Sequence, residues 1–93
     1  KPALQTLQTL DSAFAQGHTP IILINTRMYH KGKFSVKSNH FVIYNGHLSF
    51  DNENDKVTFN VWTFGYGAGK TITCSMEAFR NNYFGSIVVK KPE

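Results

Sequence analysis

The fold class follows from residues 40–62, which read HFVIYNGHLSFDNENDKVTFNVW. Apolar runs begin and end this stretch, Asn45-Gly46 lies inside it, and the polar residues 51–55 separate its two halves. Turn-forming residues between two β-forming runs predict a hairpin, and its length predicts a kink near Gly46. We therefore expect an antiparallel sheet built around one long hairpin.

The returning strand of this hairpin has two different faces, because successive side chains of a strand point to opposite sides of the sheet. One face is apolar and the other is mainly polar: Val57, Phe59 and Val61 against Thr58, Asn60 and Trp62. The apolar face is predicted to be core. If the hairpin folds symmetrically about its acidic tip, the numbers of paired residues add up to about 102. His40 would then lie near Trp62, on the same face as Asn60.

The chain before the hairpin predicts a helix and a buried strand. Residues 3–16 have apolar positions at helical spacing, and Gly17 is a suitable C-terminal cap. Those positions are Leu4, Leu7, Leu10 and Phe14. Residues 21–24 (IILI) form an unbroken apolar run, which predicts a strand buried on both faces. Residues 27–38 predict a loop or irregular hairpin, with three partial anchors: Met28, Tyr29 and Phe34.

The chain after the hairpin completes an α+β fold. Residues 71–74 predict a short strand, and Ser75 is a plausible N-cap for a helix through residue 82. Residues 85–90 predict the last strand. The expected architecture is an antiparallel sheet with an N-terminal amphipathic helix and a short helix before the last strand, in a single domain spanning residues 1–93.

Composition and charge limit the classes of partner that the protein can have. The chain has 93 residues, 41% of them hydrophobic, which suffices for one small globular domain. Its net charge is +4, but no basic run exceeds Lys90-Lys91, which favours a solvated basic surface over a nucleic-acid stripe. No apolar run reaches the roughly 20 residues of a membrane span. We therefore expect neither nucleic acid nor a membrane as the main partner.

The sequence predicts no metal and no cofactor. Cys74 is the single cysteine, which excludes an internal disulfide, and we expect it to be a buried strand residue. The histidines outside the hairpin strands lack the spacing of metal ligands and are predicted at the surface: His18, His30 and His47. Residues 65–71 (GYGAGKT) end like a phosphate-binding loop, but Phe64 stands where its first glycine should be. We expect them to be a turn beside the Asn60–Trp62 strand.

His40 and Asn60 together suggest a specific chemistry. In thiol hydrolases an amide oxygen accepts the N–H of a histidine ring and aims the other ring nitrogen at a cysteine thiolate. Trp62, on the same predicted face, would keep water away from that hydrogen bond. The expected constellation is therefore a general base, its orienting residue and a shield.

These residues also carry a resemblance to a known family. Residues 39–44 (NHFVIY), followed by residues 60–62 (NVW), resemble the C-terminal half of the papain-like cysteine peptidase superfamily, which has a His at the head of a strand and Asn-x-Trp on the next. The first helix and residues 16–20 (QGHTP) are similar to the bacterial branch that includes bacteriocin-processing peptidases and several injected toxins. The end of the chain is similar as well: Phe79, Tyr83, Gly85 and residues 87–89.

The resemblance implies a thiol hydrolase that cuts peptide or amide bonds, with His40 as general base, Asn60 as its orienting residue and Trp62 as shield. The family's nucleophilic Cys begins a helix upstream of the His, and no residue before His40 is a Cys. Because the sequence also lacks an initial Met, we expect the C-terminal part of a larger catalytic domain, inactive alone. Its partners would be a Cys-bearing segment and a peptide or protein substrate, and the bacterial branch implies a secreted or injected effector.

A non-catalytic binding module is the alternative. It would be either an inactive peptidase-like recognition domain or a basic β-domain that stacks the bases of single-stranded nucleic acid. The stacking platforms would be Tyr29, Phe34, Tyr44 and Trp62. If the chain is instead part of a papain-like fold, removal of the cysteine-bearing part would expose a sheet face, and we expect the chain to associate through it with itself or with the complementary segment, or to be only marginally stable alone. The residues expected on that face are His40, Val42, Asn60 and Trp62.

Overall fold

The computed structural model describes residues 2–29, 38–63 and 69–92, and it has the α+β fold that the sequence predicts. The described residues form two α-helices, α1 (Pro2–Ala15) and α2 (Met76–Asn82). They also form six strands: β1 (Thr19–Asn25), β2 (Asn39–Tyr44), β3 (Ser49–Asp51), β4 (Lys56–Trp62), β5 (Lys70–Ser75) and β6 (Tyr83–Val89). A short 3-10 helix, Thr26–Met28, follows β1.

The six described strands form one antiparallel sheet. β1 lies between β6 and β2, and β2 pairs with β4. β3 pairs with the same strand near its start, at Lys56, whereas β2 pairs near its end, at Trp62. β5 lies along the other edge of β4. The long first strand of the predicted hairpin is thus divided into β2 and β3.

The end of α1 and the start of α2 lie where the sequence predicts them. Leu7 and Leu10 of α1 are buried, and Gly17, with φ +91°, follows the helix in the left-handed region that favours glycine. The Ser75 hydroxyl caps α2 by accepting the Ala78 N–H at 3.0 Å. These features confirm the predicted helices, and they fix where the chain enters β1 and α2.

The core lies on one face of the sheet. α1 packs on β1 and β2, and α2 packs on β5 and the 3-10 helix. The strand residues buried in this core include Ile22, Ile24, Val42, Tyr44, Val57, Phe59 and Val61. The last three confirm the predicted core face of β4. We call this the core face, and the opposite one, which no described helix covers, the open face.

The prediction that β1 is buried on both faces is wrong. Ile22 and Ile24 are fully buried, but Ile21 and Leu23 are only half-buried. The physical reason is that the described helices pack on a single side of the sheet, so alternate residues of β1 remain on the open face.

The loop predicted at residues 27–38 is described only in part. Met28 is fully buried and Tyr29 packs against the core, so both anchor the chain as expected. Phe34 lies outside the described residues, as do His30 and residues 64–68 of the glycine-rich segment.

The hairpin has its turn at the predicted acidic tip, but its register differs from the prediction. Asp51 pairs with Lys56, so the turn consists of residues 52–55, and the Asp51 carboxylate accepts hydrogen bonds from the backbone and side-chain N–H groups of Asn54. These bonds hold the pKa of Asp51 below its usual value. The numbers of the Asp51–Lys56 pair add up to 107, so the pairing is centred later in the chain than the expected sum of 102 requires.

Asn45-Gly46 does not form a turn between two strands but lies in a bulge. Between the pairs Tyr44–Val61 and Ser49–Thr58, the first strand advances by five residues and β4 by three, so two extra residues are accommodated. Gly46 and His47 have positive φ values there, +79° and +56°. A Cβ at Gly46 would lie 2.6 Å from the Phe14 ring, so the site requires glycine.

Candidate functional site

His40 lies at the head of β2, on the core face. It pairs with Ile24, which is fully buried, and residues opposite each other in an antiparallel pair point to the same side. Along β2, His40 shares its side with Val42 and Tyr44, both buried. The ring itself is half-buried, at the end of the core.

Asn60 lies on the open face and bonds to a neighbouring strand. It pairs with Thr71 of β5, and its carboxamide oxygen accepts a hydrogen bond from the Thr71 hydroxyl at 2.7 Å. The next cross-strand pair on this face, Thr58 and Thr73, is similarly joined at 3.0 Å between hydroxyl oxygens. Asn60 thus belongs to a polar ladder between β4 and β5.

The expected pairing of His40 with Asn60 is therefore wrong, because the two residues lie on opposite faces. Ile43 pairs with Trp62, and their numbers add up to 105 instead of the expected 102. A shift by an odd number of residues moves every side chain of the strand to the other face. The Asp51–Lys56 pair at the turn, whose numbers add up to 107, causes this odd shift, and the two-residue bulge changes the sum to 105 without exchanging the faces.

Trp62 lies on the open face, so it does not cover a bond between His40 and Asn60. It borders a pocket of about 280 Å³ together with Ile21, Phe41 and Ile43. The lining is almost entirely apolar, and the Trp62 ring is half-buried in it. The sheet face expected to be exposed is also wrong in part. Asn60 and Trp62 do lie together on the open face, but His40 and Val42 point to the core face.

Cys74 is buried on the core face of β5, as expected, and is remote from His40. Cys74 pairs with Val57, which is five residues from Trp62, and His40 is three residues from Ile43, the partner of Trp62. These steps run in the same direction and together span about 26 Å along the strands. Within the described ranges, no three His, Cys, Asp or Glu side chains are grouped as metal ligands. No described helix is long and apolar enough to cross a membrane.

Of two further histidines, His18 has a structural role and His47 lies at the surface. His18 accepts the backbone N–H of Lys91 at its Nδ1 atom, at 2.9 Å, which ties the end of β6 to the start of β1. His47 is exposed in the bulge. His18 is half-buried, so only His47 fully matches the predicted surface position.

Tyr44 is not a stacking platform. Its ring is fully buried, and its hydroxyl donates a 2.6 Å hydrogen bond to Asp11 of α1. Burial, together with this bond and the negative charge of Asp11, raises the pKa of Tyr44 well above its ordinary value. The proposed nucleic-acid surface loses this residue, and Phe34 lies outside the described part of the chain.

The open face carries an apolar surface that the sequence analysis missed. Four residues lie opposite one another on neighbouring strands, and we call them the apolar row: Ile87, Ile21, Ile43 and Trp62. Phe41, opposite Leu23, extends the surface on one side. The fractional exposures of Ile87 and Phe41 are 61% and 56%. The sequence signal was the unbroken apolar run at residues 21–24, because a strand that is apolar on both faces exposes one of them when the helices cover only one side of the sheet.

Comparison with known proteins does not identify a family. No protein-family model matches the chain, no curated protein matches it, and no solved structure matches it. The similarity to papain-like peptidases therefore stays a hypothesis from residues 39–44 and 60–62.

Proposed function

We propose that the chain is a protein-binding module that packs the open face of its sheet against another sheet face, and that a second copy of the chain is such a partner. The apolar row is the observation that carries this proposal. The solvent-facing side of an antiparallel sheet is ordinarily polar, whereas Ile87 and Phe41 here expose more than half of their surface. Burying such residues is favourable by about 25 cal/mol for each Å² removed from water.

The charge pattern of the open face permits a second copy. In the described strands, the charged side chains on this face are those of Asp51 and Lys56, which lie opposite each other in β3 and β4. Neither is next to the apolar row. Two copies can therefore stack as a sandwich, with their sheets about 10 Å apart, without bringing like charges together despite the net charge of +4.

Sedimentation velocity of the purified chain tests the proposal. We expect a dimer at micromolar to millimolar concentrations, and a monomer for Ile87→Lys, because the new charge would be buried without a partner. Thr73→Lys is the matched control, since it adds the same charge to the polar part of the open face. A chain that stays monomeric throughout, or a dimer unaffected by Ile87→Lys, would contradict the proposal.

Thiol hydrolysis, the function that the resemblance implies, has less support. His40 heads β2 as that hypothesis requires, but Asn60 points to the other face and Cys74 is buried far away. A hydrolase would need its thiolate and its orienting group from outside the described residues. The two functions predict different results when turnover of peptide and amide substrates is measured.

A further inference from the structure

We propose that the outer edge of β6, together with the adjoining side of α1, binds an extended peptide as an additional antiparallel strand, with an acidic residue at the peptide's N-terminal end. This surface lies at the edge and on the helix side of the sheet. It is thus distinct from the apolar row, and different observations carry it.

The backbone of β6 is available along its outer edge. Among the described strands, β6 pairs only with β1, so its other edge has no strand partner. Sheet edges are commonly guarded by charges or proline, and residues 83–89 (YFGSIVV) contain neither. Such an edge can pair its N–H and C=O groups with an added strand.

A groove runs between β6 and α1, which packs mainly on β1 and β2. Two adjoining hollows of about 380 and 500 Å³ form the groove, and they share Gln5, Thr9 and Val88. The wall is a stripe of exposed amide and hydroxyl side chains of α1 and of the residue that follows it: Gln5, Thr9, Ser12 and Gln16. The floor is formed by Ser86 and Val88 of β6, on the helix side, and by Lys90, which follows the strand.

The dimensions of the groove suit an extended peptide. β6 has seven residues, which is about 23 Å at the rise of a strand, and α1 is about 21 Å long. A strand added at the usual spacing of about 4.8 Å would turn alternate side chains toward the amides and hydroxyls of α1. The other side chains would continue the open face beside Ile87 and Val89. The pattern therefore favours alternating small polar and apolar residues.

Strand pairing sets the direction of the peptide, and charge sets its end residue. Lys90 and His18 line one end of the groove, and no described carboxylate lines either hollow. Antiparallel pairing is the commoner arrangement and places the N-terminal end of the peptide at Lys90. A residue opposite Lys90 points to the same side as the lysine, so an aspartate there meets a cation.

The probe is a fluorescent hexapeptide, Asp-Val-Thr-Val-Thr-Val, whose residues would lie opposite positions 90 to 85 in that order. We expect saturable binding to the full chain with a Kd below about 1 mM, measured by fluorescence anisotropy. In the added strand, alternate backbone N–H groups point to β6 and the others point away from it. N-methylation of the amides that point to β6 should abolish binding, whereas N-methylation of the others should not. Absence of saturable binding, or equal binding of both methylated peptides, would overturn the proposal.

Protein variants locate the peptide. Lys90→Glu should weaken binding roughly two- to fivefold, and replacing the peptide's aspartate with lysine should restore it. Thr9→Trp should block the groove, whereas Thr73→Lys, near the opposite edge of the sheet, should bind like the wild type. Each of these variants should still form the dimer expected of the open face. Failure of the peptide-binding proposal can therefore be distinguished from failure of the proposed dimerisation. One further outcome would overturn the proposal. If Ile87→Lys remains a dimer and that dimer does not bind the peptide, a second copy of the chain occupies the β6 edge.

Discussion

Ile43 of β2 lies directly opposite Trp62 of β4, and this pair determines which side chains share the open face. Their neighbours Tyr44 and Val61 form the next pair and are both fully buried. A register different by one residue would exchange the two faces of β2 relative to β4. The assignment of core and open faces, and with it the proposed binding surface, depends on this register.

Two phenylalanines test the assignment of faces. Phe59→Ala should lower the free energy of unfolding by about 3 to 5 kcal/mol, because Phe59 is fully buried against Tyr44 and Phe79. Phe41→Ala removes the same atoms from the open face of β2, and should cost no more than about 1 kcal/mol in the monomer. Urea unfolding at low protein concentration measures both. Equal losses, or a larger loss for Phe41→Ala, would show that the faces are assigned wrongly.

The bond between Tyr44 and Asp11 predicts a loss of stability at high pH. The pKa of Tyr44 is raised in the folded state, so its contribution is fully present below the ordinary value of 10.0 and is lost as pH rises above it. In that range the free energy of unfolding should fall by up to about 1.4 kcal/mol per pH unit. Tyr44→Phe should be about 1 kcal/mol less stable at neutral pH, because Asp11 loses its donor.

Denaturant unfolding between pH 8 and pH 11.5 separates this effect from that of the other tyrosines. The difference in stability between the wild type and Tyr44→Phe should shrink as pH rises above 10. A difference that stays constant across this range would mean that Tyr44 ionises as readily in the folded chain as in the unfolded one.

The chain by itself should not hydrolyse peptides or amides. The only thiol, Cys74, is buried and lies about 26 Å from His40 along the strand direction, so His40 has no thiolate to activate. Fluorogenic peptide and amide substrates should turn over no faster with the wild type than with a His40→Ala, Cys74→Ser double variant. Turnover abolished by each single substitution would instead establish a Cys–His hydrolase within this chain.

Local sequence signals were sufficient for the elements of the fold. The spacing of leucines in α1, the cap at Ser75 and the alternation in β4 each depend on residues near one another in the chain, and each prediction is confirmed. Gly17 and its positive φ are equally local. Such features depend on the backbone preferences of neighbouring residues and on which of them face the core. Both can be recognised in a short stretch of sequence.

The register and the site could not be obtained in this way. Asn45-Gly46 is a strong turn signal, yet its glycine accommodates the Phe14 ring in a bulge, a contact across more than thirty residues. The turn lies in the acidic tip as expected, where Asp51 bonds to Asn54, but Asp51 pairs with Lys56, so the paired numbers add up to 107 there instead of 102. Because strand faces alternate at every residue, this odd difference in register was enough to place His40 and Asn60 on opposite faces.

The emission of Trp62, the single tryptophan of the chain, tests the proposed packing of the open face most directly. Its spectrum should be recorded from about 1 µM to 1 mM chain, together with its quenching by iodide. If two open faces pack together, the emission should shift to shorter wavelength and quenching should fall as concentration rises, in the wild type and in Thr73→Lys but not in Ile87→Lys. A Trp62 spectrum and quenching constant that do not change with concentration would contradict the proposed function.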